Sequence, residues 1–286
     1  MGNTLPGVIA WLMLCLLMFG APAAADDVAE FRKQVVGTML LTGTLAIAAD
    51  GSVIGYAINQ PDKVPPEVLR HLARHVPRWK VTMADASSPG EATERRFSVR
   101  VMAIPEESGY FRLSLAGANI VQQHKPGEDI VADGRLRRPE YPRAVLRLAD
   151  VSGTVYVAVK VGRDGKVADL VIEQVNLNFI GEEQEIAQVR AEFAAHTAAA
   201  ARQWKFKMPK GGPLAEYPFL EARVPVTYIV GAAPGYGEWE YYLPGPRRAV
   251  SGAEDDGVTI AAGESGELQL IGVGPRLVTP LEPPAG

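Results

Sequence analysis

The chain is poor in cysteine, since Cys15 is the only one in 286 residues. It lies in an apolar amino-terminal segment that we expect to be removed as part of an export signal. The mature chain would then contain no thiol, which excludes disulfide bonds, thiolate catalysis and cysteine-ligated metals. We expect a fold stabilised by a packed core alone.

Long basic segments are also missing. The formal net charge is −4, and the arginine clusters at 95–96, 135–138 and 247–248 are short and scattered. A nucleic-acid-binding protein usually presents a basic face or stripe. The charge pattern therefore excludes nucleic acid as the expected partner.

Common catalytic motifs are absent as well. The sequence contains no Gly-x-Ser-x-Gly, Ser-x-x-Lys, His-Glu-x-x-His or phosphate-binding loop. Glu67, His71 and His75 have a helical spacing that can hold a metal, but Arg70 and Arg74 lie beside them, and cationic neighbours oppose metal capture. We predict a solvated helix face there, and a non-enzymatic protein without a metal or cofactor.

The amino terminus lacks an apolar run long enough to cross a membrane. The run from Val8 to Phe19 is about 12 residues, against the roughly 20 that a spanning helix needs. Ala23-Ala24-Ala25 follows it, a small-residue pattern typical of signal-peptide cleavage. We predict a signal peptide at 1–25, cleavage after Ala25 and a periplasmic location. Because no lysine or arginine precedes the apolar run, the alternative is an inner-membrane anchor formed by residues 5–25.

The region after Gly153 has a strand, strand, helix, strand pattern. Residues 154–161 alternate with valine on one face, Asp164-Gly165 predicts a hairpin turn, and a return strand follows over 167–175. Valines and Tyr228 alternate again over 224–230. Between these strands, one apolar stripe predicts a long helix, through Ile186, Val189, Phe193, Thr197, Ala201 and Trp204.

The same order occurs earlier in the chain. Strands are predicted from 45–47, 53–58 and 97–101, with a turn at Asp50-Gly51. Pro65-Pro66 opens a helix whose apolar stripe is Leu69, Leu72, Val76 and Trp79. Aligning the copies places Asp50-Gly51 on Asp164-Gly165 and Trp79-Lys80 on Trp204-Lys205. The sequence predicts an α+β fold of two tandem modules, each a three-stranded antiparallel sheet packed by one main helix.

These patterns also set the domain boundaries. The first, degenerate module occupies 26–117, a linker 118–137 and the second module 138–231. Residues 232–286 read as an acidic tail rich in glycine and proline, with one short hairpin around 258–260 and 268–271.

The second module carries a recognisable series of motifs. It begins Arg138-Pro139-Glu140-Tyr141-Pro142, continues with Gly153-Thr154-Val155, and ends with Trp204-Lys205-Phe206 and a valine-rich strand through Pro225. In this order, the motifs resemble the carboxy-terminal domain of the TonB family. The resemblance implies a periplasmic module that binds an extended segment of an envelope protein, such as a TonB-dependent receptor or transporter, by sheet extension.

Proline cannot donate a ladder hydrogen bond, so the strand containing Pro225 is predicted to lie at a sheet edge. We take this edge and the opening motif as the partner-binding residues, which are Pro139, Tyr141, Pro142, Val224, Pro225, Val226, Thr227 and Tyr228. For Tyr141 and Pro142, we weigh contact with a partner and sealing of the module equally.

The sequence departs from a TonB energy transducer in two respects. Residues 26–42 contain no proline where a transducer has a long proline-rich spacer, and the early apolar segment has no histidine for motor coupling. We therefore expect a free binding module. The alternatives are an anchored energy transducer and a structural envelope protein without an open site, and a homo-oligomer is also left open.

Overall fold

The computed structural model describes residues 31, 33–82, 92–121, 127–148, 150–248, 269–270 and 275–281. The predicted signal peptide and its alternative anchor lie outside these residues. Within them, no helix combines the length and apolar character needed to cross a membrane.

The described chain has an α+β fold built mostly from antiparallel sheet. The strands are β1 Val36–Ile47, β2 Val53–Ile58, β3 Val81–Thr82, β4 Thr93–Pro105, β5 Phe111–Ile120, β6 Val131–Ala132, β7 Gly153–Gly162, β8 Val167–Leu177, β9 Phe206–Lys207, β10 Phe219–Tyr228, β11 Glu240–Tyr242, β12 Gln269–Leu270 and β13 Arg276–Leu277. The α-helices are α1 Pro66–His75, α2 Arg143–Leu146 and α3 Glu183–Ala201, and short 3-10 turns cover Pro61–Lys63, Val76–Arg78 and Pro213–Glu216.

The first sheet has the order β11-β1-β4-β5, and β2 also pairs with β1. β11 takes residues 36–38 of the free edge of β1, and β2 takes residues 43–47. One face of this sheet packs on α1, with Leu72, Val76 and Trp79 of the predicted stripe buried in the shared core. The apolar residues of the strands, spaced by two, and those of the helix, spaced by three or four, thus form one hydrophobic core.

The second sheet has the order β12-β10-β7-β8, and α3 packs on one face. Two hydrophobic clusters lie beside this sheet, and together they bury the predicted apolar stripe from Ile186 to Trp204. The helix begins with a capping box, in which the Glu182 and Glu185 side chains each accept a backbone N–H at its first turn. The predicted helix is therefore confirmed, except that it ends at Ala201 and Trp204 lies just beyond it.

The two hairpin turns make the same contacts. Gly51 and Gly165 have φ values of 84° and 77°, which favour glycine. A Cβ on Gly51 would collide with the carbonyl oxygen of Val81, and one on Gly165 with that of Phe206. The Val81 N–H donates to the Gly51 carbonyl and the Phe206 N–H to the Gly165 carbonyl, each at 2.8 Å. Each turn is thus held against the residue two positions after a tryptophan.

The sheets are larger than the three strands predicted for each. The closing strand expected at 97–101 runs over 93–105, and β5 pairs along it, so that 118–120 of the predicted linker are strand. β5 carries Ser114, Ala116, Gly117 and Asn119, and these small and polar residues hide its alternation. In the second sheet, β12 pairs with β10, while the other part of its predicted hairpin lies outside the described residues.

Residues 234–248, assigned from the sequence to the tail, lie against both sheets, and we call them the strap. At one end, the Tyr236 hydroxyl accepts the Thr42 N–H at 3.2 Å and donates to the Thr42 carbonyl at 3.1 Å. Further along, β11 extends the first sheet, and Leu243 exchanges reciprocal backbone hydrogen bonds with Leu177 at 2.7 and 3.2 Å. The strap therefore joins β1 of one sheet to β8 of the other.

The strap also covers the outer edge of β8. The Gly245 N–H donates to the Asn176 side-chain oxygen at 3.1 Å, and the Arg248 N–H donates to the Glu173 carbonyl at 2.8 Å. From α3, the Arg190 guanidinium donates to the Pro244 carbonyl at 2.8 Å. The bond to the Glu173 carbonyl supplies a partner that a neighbouring strand would otherwise provide, and the other two contacts hold the strap in place.

Candidate functional site

A cleft of about 380 Å³ lies between the two sheet faces that turn away from the helices. The first sheet contributes Thr38 and Arg100, and the second contributes side chains from β7, β8 and β10. The strap closes one side with Glu238, Glu240 and Tyr242. The volume is in the range of small-molecule sites, which is roughly 300–1,000 Å³.

Strand alternation places the side chains of the second sheet in this cleft. Val155 and Val157 of β7 pack in the cores beneath α3, so Tyr156, between them, is on the opposite face. On β10, Val224 packs beneath the helix in the same way, and Pro225 and Thr227 line the cleft.

Arg100 is the cationic side chain of the cleft. Its Nη1 donates to the Thr38 hydroxyl at 3.0 Å. Its Nε is buried and has no hydrogen-bond partner among the described residues. Nε and Nη2, on the side of the guanidinium away from Thr38, form a donor fork whose geometry matches a planar acceptor such as a carboxylate.

Two tyrosines lie close to this arginine. Tyr156 is 6% exposed and Tyr242 is 7% exposed, and neither hydroxyl has a hydrogen-bond partner in the described parts of the chain. Burial raises the pKa of Tyr242 strongly, Tyr156 and Glu240 add to the shift, and the Arg100 charge opposes it. The Tyr242 phenol is therefore a neutral donor at ordinary pH, within electrostatic reach of Arg100.

The carboxylates of the cleft belong to the strap and are fixed there. Glu240 accepts a hydrogen bond from the Asn178 amide at 3.2 Å. Glu238 accepts the Gly235 N–H at 2.8 Å. The strap therefore contributes acidic groups to the cleft, while β4 of the first sheet contributes a guanidinium.

Tyr141 and Pro142, in the opening motif of the second module, pack against its core. The Tyr141 hydroxyl donates to the Val151 carbonyl at 2.6 Å, and its ring meets Phe193 edge-on at 5.6 Å. Pro142 is buried at the start of α2, and Pro139 is half-buried before it. These contacts favour a role for Tyr141 and Pro142 in sealing the module.

The predicted edge residues divide between the two faces of β10. Val224 and Tyr228 are buried, and the Tyr228 ring stacks on Phe193 at 4.1 Å. The Tyr228 hydroxyl is hydrogen-bonded to the Thr197 hydroxyl at 2.9 Å. Val226 is half-buried against the same cores. Pro225 and Thr227 alone of the predicted set line the cleft.

Within the part of the chain that the structure describes, the backbone edge of β10 is paired over only two residues on its outer side. β7 pairs with the whole strand on one side. On the other side, β12 pairs with Ala222 and Arg223, and within the described ranges no strand pairs with 224–228. An unpaired strand edge can accept a further strand.

Sequence reasoning missed Arg100, Tyr156 and Tyr242 as site residues. Tyr156 could have been noticed as a large aromatic on the outer face of an alternating strand. No signal marked Tyr242, because its place depends on the strap.

Among the described residues, no group of three or more histidine, cysteine, aspartate or glutamate side chains could hold a metal ion. The His71 and His75 rings lie 4.5 Å apart on α1.

No protein-family model matches the sequence, and comparisons with curated proteins and with solved structures find no significant match.

Proposed function

We propose that the chain is a non-enzymatic binding protein of the cell envelope, which takes up an extended segment of a partner protein at the open edge of β10. The observation that carries this proposal is the pairing of β12 with Ala222 and Arg223. This pairing places an antiparallel strand on the edge, and among the described residues no strand continues it along 224–228.

Thr227 is the residue whose backbone serves this edge best. In an antiparallel pair, successive residues alternate between bonding the neighbouring strand and facing away from it. Pro225 has no N–H and cannot donate to β7, so we assign it to a position whose backbone faces away from β7. Thr227, two residues later, then directs both its N–H and its carbonyl outwards. Its hydroxyl lies 3.4 Å from that of Thr154 on β7, as expected for a pair without backbone hydrogen bonds, where side chains are closest.

The repeated turn contacts support a duplicated module, and only the second copy offers this edge. In the proposed alignment β4 corresponds to β10, since each follows the main helix and pairs with the first strand of its half. β5 pairs with β4 from Phe97 to Pro105, which covers the corresponding edge. Binding by the first module at the corresponding strand is therefore blocked by its own chain.

The test compares two variants at one position. Displayed fragments of envelope proteins are selected on the immobilised full chain, and the affinity of each selected segment is measured for Thr227→Pro and Thr227→Val. The proline variant loses the outward N–H, whereas the valine variant loses only the hydroxyl. We expect at least about tenfold weaker binding to Thr227→Pro, because one lost backbone bond is worth about 1 kcal/mol and the ring obstructs the edge.

Binding to Thr227→Val should remain within about threefold of wild type, a difference of roughly 0.7 kcal/mol. Thermal unfolding of both variants shows that the fold is kept. Equal affinity of the selected segments for wild type and for the proline variant would remove β10 as the binding edge.

A further inference from the structure

We propose that the cleft between the sheets binds a zwitterionic small molecule, an α-amino acid or a short peptide, with its carboxylate at Arg100 and its ammonium towards the acidic strap. This inference concerns side chains on the outer sheet faces and does not depend on strand addition at β10.

The carboxylate end is set by Arg100. One nitrogen of its guanidinium is used by Thr38, and the buried Nε has no partner among the described residues. A buried cationic donor without an acceptor is costly, and a carboxylate that fills the Nε–Nη2 fork removes that cost. The fork fits two oxygens in one plane, which is the geometry of a carboxylate.

The two tyrosines add donors beside this fork. Tyr156 and Tyr242 are more than nine-tenths buried, yet their hydroxyls have no acceptor in the described part of the molecule. Phenolic hydroxyls that converge with a guanidinium can donate to the same anionic group. Burial keeps the Tyr242 phenol protonated by raising its pKa.

The strap excludes a simple anion as the best ligand. Glu238 and Glu240 line the cleft with Arg100, so the formal charge of these three groups is negative rather than positive. Their hydrogen bonds to Gly235 and Asn178 hold the carboxylates in the strap without neutralising them. A ligand that carries both a carboxylate and an ammonium can pair with Arg100 and with these carboxylates.

Size limits the ligand further. A cleft of about 380 Å³ is near the lower end of the range for small-molecule sites, about 300–1,000 Å³. It holds an amino acid or a peptide of two or three residues. Thr154, Thr227 and Asn176 provide further polar contacts along its length.

The test is a calorimetric titration of the full chain with the common amino acids and with alanine dipeptide and tripeptide. The blocked probes are acetylated alanine dipeptide, which lacks the ammonium, alanine dipeptide amide, which lacks the carboxylate, and inorganic phosphate. We expect saturable binding of at least one unblocked probe. For the peptides, each blocked form should bind at least about tenfold more weakly, a difference of about 1.4 kcal/mol.

Variants connect binding to the named groups. Arg100→Gln should abolish binding, and Tyr156→Phe, which removes only a hydroxyl, should weaken it about tenfold. Arg112→Gln is the matched control, because Arg112 is an arginine of the same sheet that pairs with Glu106 outside the cleft. Thermal unfolding checks that each variant is folded.

The proposal is overturned if no unblocked probe binds the folded chain, or if phosphate or the acetylated dipeptide binds as tightly as the unblocked probes. It is also overturned if Tyr156→Phe and Arg100→Gln both bind as wild type does. Binding of an unblocked probe that is lost in Arg100→Gln and kept in Arg112→Gln supports it.

Discussion

Glu173 and Arg223 form a bidentate ion pair across the intervening strand β7. Arg223 Nη2 donates to the carboxylate at 2.6 Å, and its Nε donates to the second oxygen. Glu173 is the extra residue at a bulge of β8, between Ile172 and Gln174, which pair with consecutive residues of β7. A bulge can redirect a side chain to the other face of a sheet. Here it places the carboxylate opposite Arg223.

Removing the Glu173 carboxylate should therefore lower the stability of the fold. The two side chains are only 5% and 11% exposed, so Glu173→Gln leaves a largely buried guanidinium without its counter-charge. We expect a loss of about 3 kcal/mol in the free energy of unfolding, measured by urea denaturation. The control Glu221→Gln, on β10, should change it by less than about 0.5 kcal/mol. A similar small loss for both variants would contradict a role for the pair in stability.

The turn glycines give a second prediction. Gly165→Ala should destabilise the chain by more than about 2 kcal/mol, because it combines a positive φ with a collision against the Phe206 carbonyl. Gly51→Ala should behave alike at Val81. Gly134→Ala is the control, since its φ of 82° is similar but no atom lies within 4 Å of the added Cβ. It should cost about 1 kcal/mol. Equal losses at all three positions would show that the carbonyl contacts are unimportant.

The strap gives a third prediction. Leu243 is 1% exposed and packs in the core beneath α3, so Leu243→Ala should lower the free energy of unfolding by about 3 kcal/mol. Leu146 is 53% exposed, and Leu146→Ala should be nearly neutral. Amide exchange at Leu177 should also accelerate in Leu243→Ala, because its N–H donates to the Leu243 carbonyl. Unchanged stability would mean that the strap does not hold the sheets together.

Alkaline pH gives a fourth prediction. Burial raises the pKa of Tyr242, so the folded chain holds this proton more tightly than the unfolded chain does. The resulting stability is fully present below the unfolded pKa of about 10 and is lost as the pH rises through the folded value. Urea unfolding at increasing alkaline pH should show a smaller loss for Tyr242→Phe than for wild type. Identical curves for Tyr242→Phe and wild type would contradict the burial effect.

Local patterns allowed a good part of the fold to be predicted. The stripe from Ile186 to Trp204 and the turns at Gly51 and Gly165 follow from helical period and turn chemistry, which act over a few residues. Trp204, at the end of the stripe, packs its ring in the core as predicted. Its indole N–H also donates to the Arg137 carbonyl at 2.8 Å.

The site could not be predicted in the same way. Arg100, Tyr156 and Tyr242 come from β4, β7 and the strap, and their meeting depends on how two sheets and a connecting segment pack. The strap itself has no regular period, and its glycine and proline content is typical of a tail. Its order comes from tertiary contacts such as that between Tyr236 and Thr42. Long-range contacts of this kind leave no local pattern in the sequence.

Strand addition at β10 is tested most directly by amide hydrogen exchange at Thr227. Exchange is measured on the full chain, alone and saturated with an extended segment selected for binding. We predict fast exchange in the free chain and strong protection in the complex, because the Thr227 N–H would donate to the added strand. Tyr228, whose N–H we assign to the ladder with β7, should be protected in both states. Unchanged exchange at Thr227 in the saturated complex would contradict the proposed binding mode.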